Sequence, residues 1–252
     1  MKFILIPFLT FFTLISCKKK RAVIIPPISK VVITDSVKEK LDSALERGRL
    51  KLDLKQINDT TFVNINRIDS TFLFNLKYAS IDNFLKEKVY DCDACVLRYA
   101  TIKKLLKANS EFKKLGYRIQ FFDCYRPLSI QEKMWEIYPD KRYVADPKKG
   151  SNHNRGTAVD ITLVDSLGVA LDMGTAFDFF GNKAHHAYPH LPQKVLENRR
   201  LLKTVMESHG FWSITSEWWH YNLNASYKYS VSDFKTECDD LIDSHKISDQ
   251  IR

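Results

Sequence analysis

Ser151-Asn-His153-Asn-Arg-Gly156-Thr-Ala-Val-Asp160-Ile-Thr-Leu163 is the stretch on which the fold turns. From Thr157 to Leu163 hydrophobic and polar residues alternate, the period of a strand. The preceding residues form a polar turn, and Gly156 permits a tight bend. A histidine on that turn and an aspartate on the following strand can face one point. A catalytic zinc commonly takes three protein ligands from His, Asp or Glu and keeps a fourth position for water. His153 and Asp160 supply two of them.

The elements around this stretch set the fold class. Phe62-Val-Asn-Ile-Asn66 alternates as a strand and marks the start of a domain running from residue 62 to 252. Between Val96 and Leu115, residues Leu97, Ile102, Leu105, Leu106 and Phe112 fall at helical intervals, with Gly116 as the C-cap. Tyr117 to Asp123 reads as a strand stopped before Pro127, and Ser129 to Tyr138 resumes a helical pattern. A long helix is expected from Gln193 to His209, closed by Gly210, with strands at Phe211–Ile214 and Trp218–Leu223. This order predicts a single α+β domain with a largely antiparallel central sheet flanked by helices.

Two further segments carry reactive groups. In Glu217-Trp218-Trp219-His220 the outer residues are three apart and would face opposite sides of a strand. A twist or strand end is therefore needed to make His220 the third ligand and Glu217 a general base acting on water. Asp123-Cys-Tyr-Arg126-Pro127 supplies a fixed cation, and one well-placed donor to an oxyanion is typically worth about 3–4 kcal/mol. Each residue alone is ordinary; their coincidence at strand margins is not. His185, His186 and His190 are read as pocket-lining or structural, because adjacent residues seldom bind one metal together.

Composition narrows the class. The chain has 252 residues, of which 44% are hydrophobic and 27% charged, a globular balance. A net charge of +9 raises the question of nucleic acid. Beyond Lys18-Lys-Lys-Arg21, however, basic residues are interspersed with acidic ones, as in Lys86-Glu-Lys88, so no nucleic-acid partner is expected.

Residues 1–17, MKFILIPFLTFFTLISC, place one lysine before an apolar run that ends at a cysteine. The run is too short to span a membrane and matches a secretory signal. Leu14-Ile-Ser-Cys17 resembles the bacterial lipobox, which implies a signal at 1–16, lipidation of Cys17 and anchoring through acyl chains. The mature protein would sit on the periplasmic side of the inner membrane or on the outer membrane. Residues 17–61 read as a tether with one short amphipathic helix around 36–48, where Val37, Leu41 and Leu45 share a face. Four cysteines remain. Cys92 and Cys95 have redox-motif spacing, and two alternatives stay open for them: a mutual disulfide or two unpaired buried thiols.

With these residues in place, the chain resembles the D-alanyl-D-alanine dipeptidases of the zinc D,D-peptidase family. The resemblance runs from Leu76-Lys-Tyr78 and Asn83-Phe84 through Asp123–Pro127, Ser151–Asp160, Met173–Asp178 and Asn198–Arg200 to Glu217–His220. It implies one zinc per chain on His153, Asp160 and His220, base catalysis by Glu217 and transition-state stabilisation by Arg126. It also implies that Tyr78, Ser151 and Asp178 surround the free ammonium of a small D,D-dipeptide, with no obligate protein partner. Cys124 departs from the family pattern, where a small residue is commoner, and residues before Phe62 have no counterpart in compact members.

Overall fold

The computed structural model describes residues 57–235. The predicted signal, Cys17, the helix around 36–48 and Cys238 lie outside the described residues. The frame is a five-stranded sheet of β2 (Leu73–Phe74), β4 (Arg118–Asp123), β5 (Ala158–Val164), β7 (His220–Leu223) and β6 (Phe211–Ser213), in the order β2-β4-β5-β7-β6. Only the β2–β4 pair is parallel, so the sheet is largely antiparallel as its sequence predicts. A separate ribbon pairs β1 (Phe62–Asn64) with β3 (Val96–Arg98).

Among the described residues three helices pack with the strands in an α+β arrangement: α1 (Tyr99–Lys114), α2 (Leu128–Ile137) and α3 (Gln193–Ser208). Helix α1 packs on β4 and on α3, and α3 packs on β6. Strand alternation puts Val159, Ile161 and Leu163 on one face of β5 and Asp160 and Thr162 on the other. All seven β5 residues are buried, because this central strand is covered on both faces. The alternating strand read from the sequence is thus fully enclosed.

Local departures from the sequence reading have identifiable causes. Val96–Arg98, read as the first turn of a helix, pairs with β1 instead, in the register Asn64↔Val96 to Phe62↔Arg98. Helix α1 therefore starts at Tyr99; its end holds as expected, with Gly116 at φ 83°. Strand β1 stops at Asn64 because its side chain caps a 3₁₀ turn over Ile65–Arg67, accepting from Asn66 N at 3.0 Å. The strand expected from Trp218 begins only at His220.

The cysteines follow neither of the two alternatives. Cys95 is bonded to Cys124, with Cα atoms 5.4 Å apart, and Cys92 is also disulfide-bonded. Sequence spacing pointed to Cys92–Cys95 as the local pair. The start of β3 instead lies beside the end of β4, where Tyr125 N donates to Val96 O at 3.0 Å.

Candidate active site

The sheet brings two ligand candidates together by register alone. Asp160 on β5 is directly opposite His220 on β7, and opposed residues of an antiparallel pair project to the same face. His153 arrives from a 3₁₀ turn over His153–Arg155 that ends at Gly156, with φ 71°. A Cβ there would meet a Phe62 ring carbon at 2.5 Å, so glycine is required both for the bend and for the close approach.

His220 Nδ1 lies 2.9 Å from Asp160 Oδ1 and 3.2 Å from His153 Nε2, and His153 Nε2 lies 3.4 Å from Asp160 Oδ1. One potential ligand atom from each of the three falls within 4.8 Å of the other two. The remaining ring nitrogens are already engaged. His153 Nδ1 donates to Cys124 O at 2.7 Å, and His220 Nε2 donates to Asn222 Oδ1 at 3.0 Å. Because a carbonyl and an amide oxygen only accept, the outer nitrogen of each ring carries a proton and the inner one, His153 Nε2 and His220 Nδ1, is turned toward Asp160. Two oriented imidazoles and a buried carboxylate are the donor set of a hydrolytic zinc centre with a position left over, and these residues fit that metal.

The charges agree with the geometry. Burial works against ionised Asp160, but His153 and His220 outweigh it and hold the carboxyl well below its usual range. Burial likewise opposes a charge on His220, yet the hydrogen bond and charge of Asp160, with Glu217 behind, raise its pKa to about 9, so its Nδ1 proton is held by Asp160 and a metal ion bound there would displace it.

Glu217 stands at the mouth, its Oε2 4.0 Å from His220 Nδ1. It precedes the first residue of β7, so strand alternation does not apply, and the strand end required by the sequence is present. Its side chain is 34% exposed, yet the surrounding protein, together with Asp160, pushes its pKa up against the pull of His220. Both neighbouring tryptophans are buried. Trp218 Nε1 donates to Thr175 Oγ1 at 2.7 Å, while Trp219 O accepts from Ile161 N at 3.0 Å, closing the β7 side of the site.

Arg126 is buried and locked. Its Nη2 donates to Asp123 Oδ2 at 2.6 Å and its Nη1 to Gln131 Oε1 at 2.9 Å, while Nε has no partner among the described residues. Burial disfavours the cation, but Asp123 more than compensates and keeps it charged. Tyr90 Oη donates to the other oxygen of Asp123 at 2.6 Å. Arg126 N donates to His153 O at 3.1 Å and Asn154 Nδ2 to Arg126 O at 2.8 Å, so the arginine and the ligand turn move as one piece.

Tyr78 Oη donates to Asp178 Oδ2 at 2.9 Å, and the Arg126 guanidinium lies 5.2 Å from the Tyr78 ring centre. The loop carrying Tyr78 is tied by Asn83, whose Nδ2 donates to Ser80 O and Glu87 O at 2.7 and 2.8 Å. Asp178 has φ 58°, an uncommon backbone for a non-glycine residue and one that clusters at functional sites. Loss of solvent around it, then the charges of Asp160 and Glu217, push its carboxyl well above the usual range, against the Tyr78 hydrogen bond and Arg126. A cation brought to it would reverse that shift.

Ser151 stands apart from this pair. Its hydroxyl accepts from Asn154 N at 3.4 Å and its backbone N donates to Asn154 Oδ1 at 2.7 Å, which closes the His153 turn. No hydrogen bond among the described residues joins it to Tyr78 or Asp178. The other histidines stay out of the centre, as expected: His185 O accepts from Arg199, and His186 N donates to Thr215 O at 3.1 Å.

Several supporting residues escaped the sequence reading. Asn222, which shares a strand face with His220, was open to the two-residue period. Tyr90 and Gln131 come from distant loops and helices, with no local pattern to mark them.

Known proteins resemble the chain over the residues that carry this site. A family model described as D-Ala-D-Ala dipeptidase, Peptidase_M15, matches residues 58–237. A D-alanyl-D-alanine dipeptidase of Escherichia coli (strain K12) is 38% identical over 176 residues, covering 69% of this chain and 91% of the relative. One from Enterococcus faecium is 32% identical over 198 residues, covering 69% and 96%. Among solved structures, a Zn(II)-bound mutant of the VanB-type D,D-pentapeptidase VanY shares 17% identity over 54% of this chain and 79% of its own, with a TM-score of 0.35. That last likeness is too distant to carry weight.

Proposed function

Because the chain belongs to the M15 peptidase family of D-Ala-D-Ala dipeptidases, we propose that it hydrolyses D-alanyl-D-alanine, or a similar D,D-dipeptide, to free D-amino acids. The observation that carries this is the convergence of His153, Asp160 and His220 with Glu217 4.0 Å from His220. The three would hold one zinc ion, which when bound supplies Lewis acidity toward the scissile carbonyl and makes water a better nucleophile.

The chain's own groups do the rest. Glu217 takes a proton from the attacking water and delivers it to the leaving amine; its raised pKa suits a group that must both accept and return a proton. Arg126, held by Asp123 and Gln131, presents its remaining donors to the oxygen that becomes negative. The Tyr78–Asp178 pair takes the ammonium of the amino-terminal residue, while Ser151 closes the turn that carries His153. The Trp218, Trp219 and Phe177 rings keep the space small and dry.

We further read the protein as an exported lipoprotein, cleaved before Cys17 and acylated on it. The Cys95–Cys124 disulfide supports this, since such bonds persist in oxidising compartments. An enzyme so placed cannot drain a cytosolic dipeptide pool, so its work would be turnover of wall-derived dipeptides rather than glycopeptide resistance. Labelling cells with a radioactive fatty acid checks this: the wild-type chain should incorporate label and Cys17→Ser should not.

Release of D-alanine from D-Ala-D-Ala by purified protein, before and after chelation and zinc restoration, tests the activity. The proposal expects release that stops with chelator and returns with zinc. Preferred cleavage of a blocked stem tripeptide would instead make the protein a D,D-carboxypeptidase.

A further inference from the structure

Four aromatic rings close on one another beside Asp178. Phe84 lies 5.7 Å from Tyr138, Tyr138 5.9 Å from Tyr143, Tyr143 3.9 Å from Phe180, and Phe180 4.9 Å from Phe84. These are centroid separations of packed aromatic pairs, two of them edge-on and two tilted. The rings come from three segments far apart in sequence: the loop that carries Tyr78, the chain after α2, and the chain just past Asp178. Tyr138 and Phe180 are each 38% exposed, and a contiguous apolar cluster left in water is a feature that calls for a role.

The cluster is attached to the substrate wall on both sides. Phe84 packs edge-on against Tyr78 at 6.3 Å, and Tyr78 donates to Asp178. The left-handed turn at Asp178 splits its flanking rings: Phe177 packs inward on Tyr78, Phe122 and Trp219, while Phe180 packs outward into the cluster. Asp178 thus stands between the inner site and the ring of four. Asp178 is therefore followed two residues on by a ring of the cluster, and its partner Tyr78 packs on another.

We infer that Phe84, Tyr138, Tyr143 and Phe180 form a clasp that closes the amino-terminal end of the site and sets the upper length of the substrate at two residues. This rests on the reading that Tyr78 and Asp178 hold the substrate's ammonium, and it separates two causes of selectivity. Asp178 demands a positive charge; the clasp forbids anything attached beyond it.

A substrate series that keeps the charge and adds only bulk tells them apart: D-Ala-D-Ala and its N-methyl and N-propyl secondary amines, all cations, assayed with zinc-loaded full-length protein. The unaltered chain should lose kcat/KM steeply along the series, by about a hundredfold at N-propyl, as overfilling a packed site does. Phe180→Ala and Tyr143→Ala should each recover about tenfold or more on the N-propyl substrate by removing the obstructing ring, while staying within about threefold of the unaltered chain on D-Ala-D-Ala. Phe180→Leu, which keeps volume, should go on rejecting the bulky amine. Variants that keep the dipeptide activity yet reject N-propyl as strongly as before would overturn the clasp, as would an unaltered chain that cleaves all three equally. In that event the extension would have room in the cavity of about 470 Å³ that Asp178 shares with Phe122, Phe177 and the clasp ring Phe84. If one alanine variant fails to fold by thermal denaturation, the other decides. Failure of the unaltered chain to cleave D-Ala-D-Ala at all would overturn the functional reading instead.

Discussion

The backbone carbonyl of Cys124 accepts a 2.7 Å hydrogen bond from Nδ1 of His153, and the same cysteine is bonded through sulfur to Cys95. The orientation of one ligand imidazole is thereby set by a segment that a disulfide pins to the start of β3. That segment also carries Asp123 and Arg126. The disulfide is thus a covalent anchor two residues from Arg126.

Replacing both Cys95 and Cys124 by alanine is expected to lower unfolding free energy by about 2–4 kcal/mol, the usual range for a loop of this length. Zinc affinity should fall about tenfold as well, because the carbonyl that orients His153 is released. Chemical denaturation and a competitive chelator titration read the two effects separately. Unchanged metal affinity would reduce the bond to a staple.

Asn222 Oδ1 accepts from His220 Nε2 at 3.0 Å and from Asn152 Nδ2 at 2.8 Å, joining the two ligand-bearing segments. Asn222→Ala should cost about 10–100-fold in zinc affinity, while Asn222→Asp keeps an acceptor and should cost less. Isothermal titration of the metal-free protein with zinc distinguishes them.

Glu217→Gln should slow turnover by about 10²–10⁴-fold without changing the zinc content measured by elemental analysis. Arg126→Ala should lose about 10²–10³-fold, mainly in kcat, and Arg126→Lys should not restore it, since an ammonium cannot make the planar contacts to Asp123 and Gln131. A loss confined to KM in the Arg126 variants would argue against a transition-state role.

His186 gives stability a pH dependence of its own. Burial, then the nearby Lys203 and Arg199, lower its pKa to about 4, and its Nε2 is buried without a hydrogen-bond partner among the described residues. The unfolded chain holds this proton up to about pH 6.5, so stability should rise with pH between about 4 and 6.5 and fall as pH drops through that window. Because the ring is partly exposed, the contribution should be on the order of 1–2 kcal/mol. Denaturation midpoints at pH 4.5 and 7 should show a smaller difference for His186→Gln than for the unaltered chain.

How far the sequence reached depends on which forces are local. The helix at 193–208, the strand ending at Asp123 and the cap at Gly116 follow from periodicity and glycine, and all three are where the pattern puts them. His153, Asp160, Glu217, His220 and Arg126 could be named because each stands in a short motif. The β1–β3 pairing, the Cys95–Cys124 bond and the enclosure of β5 could not, since each depends on partners brought from elsewhere in the chain.

By itself, then, the sequence determined which residue types were available for the chemistry and on which local elements they ride, because backbone periodicity and turn propensity act over a few residues. Only the tertiary structure decided that Asp160 lies opposite His220, that carbonyl and amide acceptors turn both imidazoles inward, and that four distant rings meet beyond Asp178. Those are questions of strand register and loop packing, settled by the burial of the whole core rather than by any segment of it.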